Sequence, residues 1–400
     1  MTTARADAVR HAGLLVVVLG LLTTLGPLSM DLYLPAFPTL RQQFGADDGA
    51  VQLTLAGMTV GLALGNLVTG AWSDRVGRRR PLLLATSLHV VVTFACAAAP
   101  TLEVLTALRV VQGVAAAGSS VIVLAVARDV SDGPAMVRLV SRITLVTTTV
   151  PLLAPVAGAA LLTVAGWRGI FAVLGVFSMV VLAVTAAVVP ETLPYGGLRE
   201  RSSLARACAV LRDPGFRVAT LLGAMTYAGV YAYVAASPLL LHGVHGVSPA
   251  RFAIVFLANS LGLAIGVQTS AALLRRRPGA PVLAGFAALS AVAALAILPL
   301  QHAGAGLAGL LVCLWLFVTG CGGCFAGALG RALRDQSAQA GTATSVYGFS
   351  TLAIAGLVAP LAGAMGLQDA TPIAAVLAAT ALVGTTSAVV MFVRDRPLPV

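Results

Sequence analysis

Residues 50–99 read AVQLTLAGMTVGLALGNLVTGAWSDRVGRRRPLLLATSLHVVVTFACAAA. The stretch holds two apolar runs, 50–72 and 81–99, and between them gather Asp74, Arg75, Arg78, Arg79 and Arg80. A helix needs roughly 20 apolar residues to cross about 30 Å of hydrocarbon. Each run is long enough, and charge is confined to the joint between them. The pattern is that of two antiparallel membrane helices whose connection sits in water.

The rest of the chain repeats it. Approximate spans fall at 12–36, 50–72, 81–99, 102–127, 138–164 and 167–189, then at 216–240, 249–274, 280–299, 304–328, 340–364 and 370–393. Only 10% of the 400 residues are charged and 58% are hydrophobic. A soluble domain carries about 25% charge, because its surface must meet water. The apolar surface must therefore face lipid. The run that follows Arg5 and Arg10 is too long for a signal core and leads into SMDLYLPAFP, so it reads as an uncleaved first span.

The net charge of +11 would suit nucleic acid if it were clustered on a soluble domain, but the arginines are spread along the chain. With both termini in the cytoplasm, 21 of the 25 arginines fall on the inside, three (Arg41, Arg168, Arg251) fall outside, and Arg109 lies within a span. Cytoplasmic loops are enriched in Lys and Arg, so the expected orientation is N-in and C-in.

The polar stretch 190–215 divides the chain into an N-terminal bundle, 1–189, and a C-terminal bundle, 216–400. Three local matches support a duplication. Ala154-Pro155-Val156-Ala157-Gly158-Ala159 recurs as Ala359-Pro360-Leu361-Ala362-Gly363-Ala364; Arg128-Asp129 recurs as Arg334-Asp335; and the arginine triplet 78–80 recurs at 275–277. Paired repeats of this kind mark secondary transporters. The expectation is an all-α integral membrane protein of about twelve spans, built as two six-helix bundles with pseudo-two-fold symmetry.

The joint Gly70-Ala-Trp-Ser-Asp74-Arg75-Val-Gly77-Arg78-Arg79-Arg80 resembles the G-x-x-x-D-R-x-G-R-[RK]-[RK] signature of the major facilitator superfamily, with every defining position filled. Arg109-Val-Val-Gln112-Gly113 resembles the family's R-x-x-Q-G. The segment around Pro155 and Gly158 resembles the motif of its drug antiporters, with Ala154 and Ala159 where glycine is usual. Ser29-Met30-Asp31-Leu32-Tyr33-Leu34-Pro35-Ala36-Phe37-Pro38, Arg128-Asp129-Val130 and Gly166-Trp167-Arg168-Gly-Ile-Phe171 resemble the bicyclomycin/chloramphenicol-florfenicol exporter branch. The resemblance implies a conformational switch of Gly70, Asp74, Arg75, Gly77, Arg78, Asp129, Pro155 and Gly158. Within it, Asp74 would meet the start of span eleven and Arg78 would pair with Asp129.

Two charges fall well inside the expected hydrocarbon, Asp31 and Arg109. An ionised side chain there costs at least about 3 kcal/mol, which makes it a functional candidate. Asp31 lies just before the outer end of span one, and Arg109 lies about 10 Å into span four. An Asp31–Arg109 contact is expected, either as proton-coupling machinery or as a structural ion pair. Removal from water penalises the charged carboxylate, whereas a neighbouring guanidinium favours it. A cavity that opens or fills changes both, so proton and drug can compete for Asp31.

Substrate-binding candidates are Asp31, Tyr33, Arg109, Gln112, Tyr227, Tyr231 and Asn259, with Asn66 and Gln268 as further polar groups. Each alone could equally be an interhelical hydrogen bond. His89 reads as a packed, neutral side chain, with a proton relay as the lesser alternative. Cys321-x-x-Cys324 sits in LFVTGCGGCFAGALG, where small residues let helices approach closely. The expected function is proton-coupled export of small amphipathic antibiotics across a bacterial inner membrane by a monomer in the bilayer. The resemblance implies no cofactor, no metal and no nucleic acid. Thr23-Thr24 stands where a closer amphenicol exporter would carry a further acid. Proton-coupled uptake is the alternative; a membrane enzyme or a sensor would need a polar constellation or a soluble domain that the sequence lacks.

Overall fold

The computed structural model describes residues 12–131, 133–193, 203–336 and 339–394. The expected linker 190–215 lies partly outside them. Among the described residues the chain is helical throughout, without strands.

The helices are α1 (Ala12–Asp31), α2 (Phe37–Phe44), α3 (Asp48–Val76), α4 (Arg79–Ala97), α5 (Leu102–Val130), α6 (Gly133–Val188) and α7 (Ser203–Arg212). They continue with α8 (Pro214–Leu239), α9 (Pro249–Leu274), α10 (Gly279–His302), α11 (Gly306–Leu333), α12 (Ala340–Val358), α13 (Leu361–Ala364) and α14 (Thr371–Arg394).

Several ends are written locally. Thr101 caps α5 by accepting from Val104 N (3.3 Å). Asp213 caps α8 through Gly215 N (2.9 Å), with Pro214 in the first turn. Ser248 and Pro249 start α9 in the same way. A side-chain oxygen satisfies one of the open N–H groups at a helix start, and proline has none to satisfy.

Two spans end earlier than the sequence expectation. The first helix ends at Asp31 rather than at 36, because Pro35 disfavours helix in the residue before it; a 3₁₀ turn, Leu34–Ala36, follows. The eleventh ends at Val358, just ahead of Pro360. Spans five and six, both within the range labelled α6, separate at Gly166, in the expected joint between 164 and 167. Gly166 breaks the helix, with φ 63° and ψ −176°. Only glycine adopts such a backbone without strain. Among the described residues eleven helical stretches are long and apolar enough to cross a membrane, with the one through Gly166 counted once.

The chain forms two compact units. The first comprises Met1–Leu40 and Gly57–Arg201, and the second Arg41–Ala56 and Ser202–Val400. Leu15, Leu19, Leu22 and Leu25 of α1 pack with Ile122, Val123 and Val126 of α5 in the first unit. Phe216, Leu222, Leu283, Ala328 and Tyr347 centre the core of the second. Also in the second unit, the start of α3 is tied to the end of the eleventh span. Asp48 Oδ2 accepts from Leu367 N (3.2 Å), and Gln52 Oε1 accepts from Gly363 N (3.0 Å).

The duplication is also visible in backbone contacts. In the first unit a Cβ on Gly61 would lie 2.0 Å from Val110 O, and one on Gly113 would lie 2.2 Å from Met58 O. In the second unit Gly266 stands in the same way against Thr319 O (2.0 Å), and Gly322 against Leu263 O (2.3 Å). Gly61 recurs as Gly266, 205 residues later, and Gly113 as Gly322, 209 residues later, while Leu263 and Thr319 stand at the positions of Met58 and Val110. Cys321 and Cys324, on the same helix, are buried free thiols that contact Ser290 Oγ and Leu283 O of α10, which fits the packing reading of that segment.

Candidate functional site

The first unit gathers Asp31, Tyr33, Arg109 and Gln112 from α1, its following turn and α5. Gly158 of α6 makes the turn possible. A Cβ there would lie 1.9 Å from Leu32 O, so α6 lies directly against the chain just past Asp31. Pro155, one turn earlier, is buried with it.

Arg109 is fully buried. Its guanidinium lies 4.3 Å from the Tyr33 ring centroid and 5.7 Å from that of Phe171. Tyr33 in turn contacts Phe37 and Phe171, at 5.2 and 5.4 Å between centroids. Aromatic faces stabilise a cation there that water cannot reach.

Arg109 Nη1 donates to Gln112 Oε1 (2.7 Å), one helical turn on. Gln112 Nε2 then donates to Thr93 Oγ1 (2.8 Å). Thr93 Oγ1 lies 3.4 Å from His89 Nδ1, and His89 Nε2 lies 3.1 Å from Ser29 Oγ. A polar chain thus runs from Arg109 through α4 to α1, ending two residues before Asp31.

Asp31 itself is half-buried. Among the described residues no ion pair within 4 Å joins it to Arg109, so the expected direct contact is not formed. Gln112 accepts from the guanidinium instead, and the two rings lie against it. Thr93 was not singled out from the sequence, and Ser29 and Phe171 entered only as members of motifs, without a role of their own. Thr93 sits one helical turn from His89, a spacing that could have revealed it.

His89 behaves as packed core, and its loss should be mild. Ser29 and Thr93 also donate to Leu25 O and His89 O, both at 2.6 Å, so His89→Leu leaves those hydroxyls with backbone partners. The expected cost is about 1 kcal/mol. Gln112→Leu removes the acceptor of a buried cation and should cost about 3 kcal/mol. Thermal unfolding of the two purified variants checks the order, and the reverse order would mean that His89 bears more of the network than Gln112.

A second cluster closes the joint between α3 and α4. Arg78 Nε donates to Asp129 Oδ2 (3.0 Å), and its Nη1 donates to Ser73 Oγ (2.9 Å) and to Asp74 Oδ1. Burial works against this guanidinium, but the two carboxylates more than offset it and raise its pKa. Gly77 makes the turn at φ 98°. Gly70 accepts from Ser73 Oγ through its carbonyl (3.0 Å), while Arg75 is exposed. The structure therefore brings together Asp74, Arg78 and Asp129. Glu191, which the sequence reading had passed over, reaches the same joint.

The remaining candidates lie in the second unit. Tyr227 and Tyr231 stack at 6.3 Å, and Tyr227 contacts Phe325 at 4.6 Å. Asn259 is buried and donates to Val255 O in its own helix (2.9 Å). Asn66 is half-buried and Gln268 exposed.

Residues 19–360 match the family model described as Major Facilitator Superfamily. The chain belongs to this superfamily. It is accordingly a multi-pass membrane transporter. It is 31% identical over 385 residues to the uncharacterized MFS-type transporter YdgK of Bacillus subtilis, covering 92% of each chain. It is 24% identical over 368 residues to a bicyclomycin resistance protein homolog of Haemophilus influenzae, covering 89% of this chain and 90% of the relative. Among solved structures, a bacterial homolog of the human lysosomal transporter Spinster superposes with a TM-score of 0.77. That similarity holds at 16% identity and covers 98% of this chain and 99% of the other.

Proposed function

We propose that this superfamily transporter is a proton-coupled antiporter that exports small amphipathic drugs across the bacterial inner membrane by alternating access. The observation that carries the reading is the state of the two intramembrane charges. Arg109 is held by neutral groups, while Asp31, half-buried on the adjoining helix, has no ion-pair partner among the described residues. A carboxylate that is not committed to a salt bridge can gain and lose a proton within the cycle. Arg109 stays charged throughout and biases that exchange through space.

Drug enters from the cytoplasmic side and displaces the proton from Asp31; opening outward admits the next proton. Tyr33 and Gln112 beside Arg109 offer the few convergent polar groups of a small-molecule site in the first unit, and Tyr227, Tyr231 and Asn259 are separate binding candidates of the second. The relative named for bicyclomycin resistance supports a drug as substrate. Both termini face the cytoplasm, with 21 arginines on that side, and the protein acts as a monomer. Thr23 and Thr24, which donate to Gly20 O and Leu21 O at 2.7 Å, supply no second acid, so Asp31 carries the coupling alone.

Everted vesicles test the direction. Acidifying the lumen should drive accumulation of bicyclomycin or chloramphenicol, and collapsing the gradient should release it. Loss of preloaded drug on acidification would instead support uptake, and indifference to the gradient would remove proton coupling altogether. A resistance profile in a strain lacking its own pumps then identifies the compound class.

A further inference from the structure

We propose that Glu191 is a positioning residue of the Arg78 switch: its carboxylate fixes the turn at Gly77–Arg79 so that the Arg78 guanidinium faces Asp129. The inference rests on reading that cluster as a switch, and deepens it by adding a residue more than a hundred positions away.

The start of α4 is the reason a carboxylate is needed. No side chain at Arg78 caps this helix, and the first N–H groups of a helix have no partner of their own. Glu191, three residues beyond the end of α6, supplies one. Its Oε1 accepts from Arg78 N (2.7 Å), and its Oε2 accepts from Arg79 N (3.1 Å). An anion at a helix N-terminus is favoured by the exposed N–H dipoles as well as by the bonds themselves. The same Oε1 also accepts from Thr192 N and Leu193 N, both at 3.1 Å, so it shapes its own chain at the same time.

Gly77 is then required twice over. Its φ of 98° suits glycine, and a Cβ there would lie 2.5 Å from Glu191 Oε2. The signature glycine makes room for the carboxylate as well as making the turn.

Two further bonds close the clasp. Arg79 Nε donates to Val189 O (3.0 Å) and Nη2 to Ala186 O (2.8 Å), covering the open carbonyls at the end of α6. Thr192 Oγ1 donates to Asp129 Oδ2 (3.0 Å), the oxygen that also receives Arg78 Nε. Arg78 and Asp129 are therefore both gripped from the 189–193 segment: one through its backbone, the other through its side chain. Partial burial pushes the Glu191 carboxyl up, yet the N–H groups of Arg78, Leu193, Arg79 and Thr192 outweigh this and hold it below the usual carboxylate range. A depressed folded-state value means the clasp is fully present at neutral pH and is lost only as pH falls through that lowered value.

The test is limited trypsin digestion of the purified full-length protein, comparing cleavage at Arg78–Arg80 with cleavage at the arginine triplet 275–277. Glu191→Ala should raise cleavage at 78–80 about tenfold while leaving 275–277 unchanged, and Glu191→Asp should restore most of the protection. A general loss of stability would raise both sites together and would overturn the proposal, as would wild-type cleavage in Glu191→Ala. Gly77→Ala should expose the same site, and in the Glu191→Ala background its added effect should be smaller than in the wild type; full additivity would count against the steric link. In everted vesicles Glu191→Ala should slow drug turnover about tenfold without moving its pH dependence, and unchanged turnover would overturn the positioning role. If wild-type vesicles show no proton-driven transport, the antiport reading fails, while the cleavage ratio still decides whether Glu191 holds the turn.

Discussion

Asp31→Asn is expected to abolish drug accumulation driven by a pH gradient while leaving the protein folded. Asparagine matches aspartate in size and remains half-buried at the end of α1, but it cannot exchange a proton. Exchange of one proton for one neutral drug carries one positive charge inward per cycle. A membrane potential then contributes about 2.3 kcal/mol per 100 mV. At 1.4 kcal/mol per tenfold, that potential alone sustains a drug ratio of about 40. In Asp31→Asn the ratio should fall to about one, because the carrier can only equilibrate its substrate. The decisive comparison is accumulation in everted vesicles under an imposed potential at equal pH, and under an imposed pH gradient at zero potential. A monovalent cationic drug should respond to the second gradient and not the first, since its exchange for a proton moves no net charge. Proton-driven accumulation at wild-type rate in Asp31→Asn would remove Asp31 from the coupling.

What the sequence disclosed and what it withheld follow from the range of the interactions. Periodicity and local chemistry are short-range, so the apolar runs and the Gly70–Arg80 joint were largely legible, whereas the expected spans ran past the ends of α1 and α12 at Asp31 and Val358. The joint at Gly166 was legible too: spans 138–164 and 167–189 leave it between them, and its positive φ is what breaks the helix there. Contacts between helices depend on which faces meet. The residue types around Arg109 suggested a carboxylate partner, yet the structure gives it Gln112, Tyr33 and Phe171. Opposite charges on adjoining helices do not pair when neutral groups of the arginine's own helix and of its neighbours reach it first. Glu191 carried no signal, because its bonds to Arg78 and Arg79 span 113 and 112 residues and the residue looks in the sequence like part of a polar linker.

The glycine contacts lead to the other large effect, on folding rather than coupling. Gly113→Val should cut the yield of folded protein sharply, because even the first added carbon meets Met58 O at 2.2 Å. The obstacle is backbone, so no side-chain rotation relieves it, and α3 and α5 must separate. In lipid there is no hydrophobic gain to drive helices together, and close packing at small residues supplies much of their association. An overpacked contact of this kind costs about 3 kcal/mol, a large part of a marginal stability. Gly113 also follows Gln112, so a loss of transport there would confuse folding with the Arg109 network. Gly266→Val separates the two: it meets Thr319 O at 2.0 Å in the second unit, remote in sequence from Arg109 and its partners. Both variants should lose folded yield and melt lower in detergent, whereas Gly285→Val, with nothing within 4 Å, should melt close to wild type. Normal melting of Gly266→Val would mean that the second pair of helices can yield where the first cannot. The duplicated contacts would then be equivalent in geometry but not in what they bear.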